Sequence, residues 1–265
     1  MLRGSAASES LIVILAEPPP SQGDVHFRVG GIPVRIHPFF WIVALILGIQ
    51  GGETPPMAVI VWIVALFSSI LVHEMGHALL QRHYGGHPRI TLYGMGGLTA
   101  CGDCERSTRA QILISLAGPC AGFLLALGLL FVVSAVGHQG GCTLFGRPGP
   151  DAVGIGLLGT VFYWRPFQSG AVNDMIQQLL YINLLWGAVN LLPIYPLDGG
   201  QISREICLLG QPRQGMILSL RISVAAAAFM ALVGLAWGSL LIIIFFGYLS
   251  YSSYRALQAY QNSLW

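Results

Sequence analysis

Long uncharged apolar runs dominate this chain and alternate with short polar segments. A helix needs about 20 residues to cross the hydrocarbon core of a bilayer. Six runs of about this length or somewhat shorter predict membrane spans, at 38–51, 57–81, 110–136, 175–196, 216–236 and 240–256. The first run is short, and the fourth is the least apolar. The pattern therefore predicts an all-α polytopic membrane protein with about six transmembrane helices.

Two segments outside these spans predict extended structure. Residues 25–36 alternate loosely between apolar and polar positions around Gly30 and Gly31, which predicts a short interfacial N-terminal hairpin. Residues 91–98 follow the second span and are too rich in glycine for a helix, which predicts a re-entrant strand or loop. The 137–174 linker predicts no span. The predicted organisation is an N-terminal cytoplasmic or interfacial segment (1–36), an intramembrane domain (37–258) and a C-terminal tail (259–265).

Charge supports a membrane location. Only 13 Lys+Arg and 11 Asp+Glu occur in 265 residues, or 9%, where soluble domains have about 25%. This composition excludes a disordered chain, a nucleic-acid binder and an ordinary cytosolic enzyme. If the N-terminus is cytoplasmic, ten arginines lie on the cytoplasmic side and two, Arg147 and Arg165, on the other. That bias predicts a multi-pass cell-membrane protein with both termini in the cytoplasm.

The second predicted span ends in an H-E-x-x-H motif at residues 73–77. His73 and His77 are four residues apart, so on a helix both imidazoles face one side and suit a single metal ion. Glu74 lies beside them and is placed to accept a proton rather than to bind the metal. Chance matches to this motif are common in soluble helices. Inside an apolar span, however, an unpaired carboxylate costs at least about 2.5 kcal/mol, which favours a functional reading.

A zinc site of this kind needs a third protein ligand from elsewhere in the chain. Asp198 is a candidate because it is the only acid between Asp174 and Glu205. Pro193 and Pro196 break the preceding helix, and the two glycines that follow Asp198 allow a sharp turn that points the carboxylate inward. The alternative is an aspartate at a helix end that faces cytoplasmic water.

Together these residues resemble the site-2 protease family of intramembrane zinc metalloproteases. The resemblance rests on H-E-x-x-H at 73–77 and on N-x-x-P-x-x-x-L-D-G at 190–199, with further similarity at 31–38, 94–97 and 117–119. The flanking sequence is most similar to the compact branch that includes the sporulation proteases, which process a pro-sigma factor. The last two spans rest on count and topology alone.

The resemblance implies a function and a role for each motif residue. It implies one Zn²⁺ held by His73, His77 and Asp198, with Glu74 as general base. It implies a transmembrane protein substrate, for example a membrane-tethered transcription regulator, cut close to the cytoplasmic face. The residues alone leave open a transporter that conducts protons or divalent cations through the His/Glu/Asp cluster. A metal-binding but inactive scaffold is a further reading, disfavoured because Glu74 is intact.

Three further features predict supporting roles. Gly96 and Gly97 permit close backbone approach, so the 91–98 segment is expected to pair with an unwound substrate, although a plain turn is the alternative. Asn190 is a candidate polar partner for substrate, or else a structural amide. The small residues at 118–122 predict close packing of the third span. Cys101 and Cys104 read as part of an ordinary loop rather than as half of a metal site.

Overall fold

The computed structural model describes residues 17–49, 54–144, 152–157, 159–210 and 212–262, with the side chains of all but 212 and 213. Within these ranges the helices are α1 (Pro38–Gly48), α2 (Pro56–His83), α3 (Thr108–Ala135), α4 (Gly170–Tyr181), α5 (Gly187–Asn190), α6 (Asp198–Leu208), α7 (Pro212–Ala236) and α8 (Leu240–Asn262). A π-helical turn, Ile182–Trp186, joins α4 to α5. The chain is mainly helical, as predicted.

Four of the helices are long and apolar enough to cross a membrane: Pro56–His83, Thr108–Ala135, Gln214–Ala236 and Leu240–Asn262. They correspond to the second, third, fifth and sixth predicted spans, and the predicted count of six is not confirmed. The first predicted span is the short helix α1, whose 11 residues rise only about 16 Å at 1.5 Å per residue. The fourth is divided into α4, the π turn and α5.

The prediction of an all-α fold is wrong in one respect, because the described chain contains two sheets. The first has four strands in the order β1-β2-β3-β4: β1 (Val25–Val29), β2 (Ile32–Ile36), β3 (Arg89–Tyr93) and β4 (Gly96–Ala100). β1 and β2 form the predicted N-terminal hairpin. Gly30 and Gly31, with φ of 56° and 83°, form its two-residue turn, which requires positive φ at both positions.

The four-stranded sheet packs on α2. β3 runs parallel to β2, and β4 returns antiparallel to β3. Apolar side chains alternate along β2 and β3 and form a buried cluster with residues of α1 and α2: Ile32, Val34, Ile36, Phe40, Ile70, Ala78, Ile90 and Leu92. The 91–98 segment is therefore a strand hairpin, one of the two forms predicted, and its outer strand β4 is held against α2.

The second sheet lies in the 137–174 linker, where no strand was predicted. Its strands are β5 (Gly140–Leu144), β6 (Val153–Leu157) and β7 (Thr160–Trp164), in the order β5-β7-β6. Trp164 is buried in a cluster with residues of α3, α4 and the π turn, including Leu130, Ile176 and Leu180. Residues 145–151 and 158 of this linker lie outside the described residues, as do 1–16 and 263–265 of the predicted terminal segments.

The described chain divides into two compact units. The N-terminal unit comprises the described residues up to Cys104 together with Ala117–Ala188. The C-terminal unit comprises Glu105–Leu116 and the described residues from Val189 onward. The H-E-x-x-H motif belongs to the N-terminal unit, and the Leu-Asp-Gly motif belongs to the C-terminal unit.

Two serines of the C-terminal unit hold the loop that precedes Asp198. The Tyr195 N–H donates to Ser223 Oγ at 2.7 Å, and the Tyr195 carbonyl lies 3.3 Å from Ser253 Oγ. The two hydroxyls are 2.8 Å apart and fully buried. When the Ser253 hydroxyl donates to the Tyr195 carbonyl, the Ser223 hydroxyl donates to Ser253 Oγ. Each of the two hydroxyl hydrogens then makes one hydrogen bond. α7 and α8, which carry these serines, therefore fix the backbone three residues before Asp198.

Candidate metal centre

His73 and His77 lie on one face of α2, as the spacing predicts. Both are buried, and their Nε2 atoms are 3.2 Å apart. Two ligands at the zinc–nitrogen distance of about 2.05 Å in a tetrahedral site are separated by roughly 3.3 Å. The rings meet edge to face with centroids 4.8 Å apart. This pair fits two ligands of one zinc ion.

The two imidazoles fit between the helices because α3 contacts α2 through its smallest residues. A Cβ at Gly118 would overlap Nε2 of His77 and stand 2.8 Å from Nε2 of His73. On α2, a Cβ at Gly76 would stand 2.9 Å from the Cβ of Ala121. The predicted close packing of the third span is confirmed. Because Gly118 has no Cβ, no side chain of this residue occupies the space next to the two histidine rings.

The Glu74 side chain contacts β4. Its carboxylate is buried, and the Thr99 hydroxyl lies 2.6 Å from Oε2 and 3.1 Å from the Glu74 carbonyl. Burial raises the pKa of the neighbouring Tyr93 hydroxyl, and the charge of Glu74 raises it further. Glu74 is therefore an oriented carboxylate beside the histidine pair. Sequence reasoning missed Thr99, whose hydroxyl makes the contact that orients it.

Two different structural constraints favour glycine at positions 96 and 97 of β4: backbone conformation at Gly96 and lack of space at Gly97. Gly96 has a φ of +121°, which favours glycine, and a Cβ there would meet no atom within 4 Å. A Cβ at Gly97 would stand 2.5 Å from both Cδ and Oε1 of Glu74. The group that lies closest to Gly97 is therefore the Glu74 side chain of the same chain, which was not predicted. A role of Gly96 and Gly97 in binding substrate stays a prediction.

In the C-terminal unit, Asp198 is buried at the first position of α6. A carboxylate in a first helical turn is stabilised by the helix dipole. The glycines after it do not make the predicted sharp turn, because both lie inside the helix. A Cβ at Gly200 would stand 2.5 Å from the backbone of Ile194, and one at Gly199 would overlap the Leu191 carbonyl. The two glycines let α6 begin directly against the preceding loop.

Asn190 is the last residue of α5 and is also buried. Residues 191–197 form turns and bends that separate it from α6. Asn190 and Asp198 therefore do not share one helix. Its role as a substrate partner stays a prediction.

The family model for peptidase family M50 matches residues 61–237, more than half of the chain. The chain belongs to peptidase family M50. Among curated proteins, this M50 chain is 31% identical over 238 residues to a putative zinc metalloprotease Rip3 of Mycobacterium tuberculosis, covering 79% of this chain and 53% of the relative. It is 25% identical to zinc metalloprotease MJ0392 of Methanocaldococcus jannaschii, with 81% and 53% covered. The M50 chain spans about half the length of these relatives.

Two further comparisons support the resemblance seen in the sequence. Stage IV sporulation protein FB of Bacillus subtilis is 29% identical over 175 residues, with 64% of the M50 chain and 46% of the relative covered. The site-2 protease structure from Methanocaldococcus jannaschii superposes with a TM-score of 0.55 at 21% identity, over 88% of this chain and 95% of that one. The predicted relation to site-2 proteases is confirmed, and the structural likeness shows the shared fold.

Sequence reasoning missed a buried amide in the M50 chain, Asn183. Its Nδ2 donates to Ser69 Oγ and to the Leu179 carbonyl, each at 2.8 Å. Ser69 lies one turn before His73 on the same face of α2, and Asn183 lies in the π-helical turn. Such turns often mark functional sites. In the sequence, Asn183 is a single asparagine within an apolar run. Such a residue is also common in ordinary contacts between helices, so the pattern did not single it out.

The loop after β4 differs from the ordinary loop predicted for the M50 chain. Cys101 and Cys104 form a disulfide, and a Cβ at Gly86 would stand 2.6 Å from Cys101 Sγ. Asp103 in the same loop binds both the backbone N–H and the ring of His87. The side-chain hydrogen bond from His87 lowers the pKa of Asp103 below its ordinary value. The loop is therefore tied to the segment that follows α2.

Proposed function

We propose that this M50 chain is an intramembrane zinc metalloprotease that hydrolyses peptide bonds in or next to transmembrane segments of membrane proteins. The observation that carries the proposal is the histidine pair with its Nε2 atoms 3.2 Å apart, beside the buried carboxylate of Glu74. Both lie in an apolar helix long enough to span a membrane. The family, and relatives named as zinc metalloproteases, support the same activity.

We assign His73, His77 and Asp198 as the ligands of one zinc ion. They supply two imidazole nitrogens and a carboxylate oxygen, and all three side chains are buried. This donor set is typical of catalytic zinc sites, which have three protein ligands and one open position. The fit of the histidine spacing supports the first two assignments. The match of the Leu-Asp-Gly motif to the family pattern supports the third.

When bound in such a site, zinc polarises a substrate carbonyl and makes water acidic enough to act as a nucleophile near neutral pH. Glu74 is the general base: its carboxylate takes the proton that water releases as the water oxygen attacks the peptide carbon. Protonated Glu74 then delivers this proton to the leaving amine nitrogen as the C–N bond breaks. The carboxylate is regenerated, so Glu74 is unchanged after one turnover.

A transmembrane substrate has to unwind locally, because its amides are hydrogen-bonded inside its own helix. We propose that the unwound segment pairs with β4, an edge strand of the four-stranded sheet, along the edge that carries Gly96 and Gly97. Asn190 is proposed as a further polar contact. The resemblance to the sporulation proteases suggests a membrane-tethered transcription regulator as substrate. Cysteine crosslinking between β4 and a bound substrate tests the pairing, and its absence in a stable complex would contradict it.

The four apolar helices and the family indicate a membrane protein. For its orientation we propose cytoplasmic termini and six crossings, with α1 and the α4–α5 segment as the two additional ones. This model puts Cys142 outside the cell and Cys207 in the cytoplasm. With only four crossings and the same N-terminus, both cysteines are cytoplasmic.

These alternatives predict different labelling of native cysteines on intact cells. Cys142 is exposed and Cys207 is half-buried, and both are free thiols. A membrane-impermeant maleimide is expected to label Cys142 and to spare Cys207, with Cys142→Ser as the control for specificity. A permeant maleimide shows which of the two thiols is reactive. Protection of Cys142 from the impermeant reagent, with labelling by the permeant one, would contradict the six-crossing model.

Removal of the metal tests the proposed activity directly. The purified chain, reconstituted in lipid vesicles with a transmembrane substrate, is expected to contain one zinc ion per chain and to cleave the substrate. A chelator is expected to abolish cleavage, and added Zn²⁺ to restore it. Cleavage that persists after all metal is removed would contradict the proposal. Proton or cation flux through the same vesicles without any cleavage would favour a transporter instead.

A further inference from the structure

Thr99 lies on the face of β4 that covers Glu74. Side chains two residues apart on a strand point to the same side, so Gly97 and Thr99 both face α2. Gly97 admits the Glu74 side chain because it has no Cβ of its own. Thr99 meets the end of that side chain with its hydroxyl, 2.6 Å from Oε2. The two residues thus surround one carboxylate from the same strand.

The Thr99 hydroxyl has one hydrogen and two acceptors within reach. The distance to Oε2 is 2.6 Å and that to the Glu74 carbonyl is 3.1 Å. Hydrogen bonds from a hydroxyl to an oxygen have donor–acceptor distances of about 2.5–3.0 Å, and only the contact to Oε2 lies within this range. Oε2 therefore receives the hydrogen. Among the described residues, no hydrogen bond to the other carboxylate oxygen, Oε1, accompanies it.

The position of this hydroxyl is fixed by the sheet. Thr99 is paired with Ile90 of β3, and the Ile90 side chain is buried in the core between the sheet and α2. Threonine is β-branched, which restricts its χ1 angle on a strand. The hydroxyl is thus held by backbone pairing and side-chain stiffness and does not depend on the substrate being present.

We propose that Thr99 is a positioning residue that binds Oε2 of Glu74 and thereby selects Oε1 as the oxygen that exchanges the proton during peptide hydrolysis. This inference rests on the proposed function. Without the Thr99 hydroxyl, the carboxylate rotates about its terminal torsion, which is soft in glutamate. Oε1 then spends less time in the productive orientation. The binding of zinc and of substrate does not involve this hydrogen bond.

The test compares Thr99→Val with Thr99→Ser in the reconstituted enzyme. Valine has nearly the shape of threonine without the hydroxyl, and serine keeps the hydroxyl without the methyl. General-base catalysis contributes about 10²–10⁴-fold to a rate. Partial loss of orientation in Thr99→Val is therefore expected to lower kcat about 10-fold to 100-fold, with KM within about twofold of wild type. Thr99→Ser is expected to restore kcat to within about threefold.

Thr91 provides the matched control. It is a buried threonine on the adjacent strand β3, and its hydroxyl donates to Glu17 at 2.8 Å rather than to Glu74. At Thr91 both edges of β3 are already paired, with β2 on one side and β4 on the other, so this residue of the 91–98 segment is not open to pairing with substrate. Thr91→Val removes the same group from the same sheet and is expected to leave kcat within about threefold of wild type. Bound zinc is measured for every variant and is expected to stay at the wild-type level. A lower kcat in Thr99→Val then reflects the altered position of Glu74 and not loss of the metal.

Three results would overturn the role of Thr99: wild-type kcat in Thr99→Val, equally low kcat in Thr99→Ser, or a rise in KM with unchanged kcat. If Thr99→Val does not fold, the same comparison is made between Thr99→Ala and Thr99→Ser. The proposed function fails by a different result, namely a wild-type enzyme that does not cleave a transmembrane substrate, or one that still cleaves it after all metal is removed. A slow Glu74→Gln together with a fast Thr99→Val refutes the Thr99 role alone.

Discussion

Replacing Gly118 with alanine is expected to remove zinc from the protein. The new methyl group would overlap Nε2 of His77 and stand 2.8 Å from Nε2 of His73. Both atoms are the proposed metal donors, so the rings have to rotate away from their shared position to make room. Since the metal requires both nitrogens at a fixed spacing, we expect zinc affinity to fall at least about 100-fold, beyond the effect usual for residues that only support the ligands.

Gly128 is the matched control for this substitution. It lies in the same helix α3, and a Cβ there would meet no atom within 4 Å. Alanine is favoured over glycine inside a helix by roughly 0.8–1 kcal/mol, so neither variant is expected to weaken α3 itself. Zinc per chain, measured by mass spectrometry after competition with a chelator, is expected to be lost in Gly118→Ala and kept in Gly128→Ala. Equal retention in both variants would refute the assignment of the histidine pair as ligands.

The role of Gly118 shows which parts of the site the sequence could reveal. His73, Glu74 and His77 are recognisable because their chemistry needs a fixed spacing on one helix, and helix geometry is local. Gly118 was interpreted as a packing residue. Its neighbours on α2 lie some 40 residues earlier in the chain. A local sequence pattern does not indicate which side chains a small residue contacts when two helices pack together.

Thr99, the pairing of the N-terminal hairpin with β3, and the second sheet were missed for a related reason. The contact between Thr99 and Glu74 depends on the register of β4 against β3 and on how this sheet packs on α2, and both are set by tertiary structure. β4, β5 and β6 are also rich in glycine, which weakens the apolar–polar alternation by which strands are recognised. The N-terminal hairpin was predicted because its paired glycines mark a turn between two alternating runs.

The last two helices acquired a role only from the structure. In the sequence they were predicted from their length and apolar composition alone. In the sequence, neither Ser223 nor Ser253 indicates a function. A serine is tolerated in an apolar helix because it is small and its hydroxyl readily forms a hydrogen bond to the helix backbone. Their shared hydrogen bonds to Tyr195 appear only when α7 and α8 are paired and the loop before Asp198 lies on them.

Glu74→Gln is expected to abolish cleavage while zinc remains bound. Glutamine keeps the shape of glutamate and still accepts the hydrogen bond from Thr99, so β4 and the histidine pair have no reason to move. Its amide cannot take up the proton that water has to release. Since general-base catalysis contributes about 10²–10⁴-fold, we expect kcat to fall about 10³-fold or more. The measurement is single-turnover cleavage of a transmembrane substrate in vesicles, with zinc per chain determined on the same samples.

The control for lost charge is Glu205→Gln. Glu205 is also a buried glutamate, and it pairs with the neighbouring Arg204 at 2.9 Å in α6. It has no part in the proposed chemistry, so this variant is expected to cleave within about threefold of wild type. The inactive Glu74→Gln protein should also hold uncut substrate long enough for a cysteine at position 98 of β4 to crosslink to it. Cleavage by purified Glu74→Gln at the wild-type rate would remove Glu74 as the base, and with it the proteolytic mechanism derived for this site.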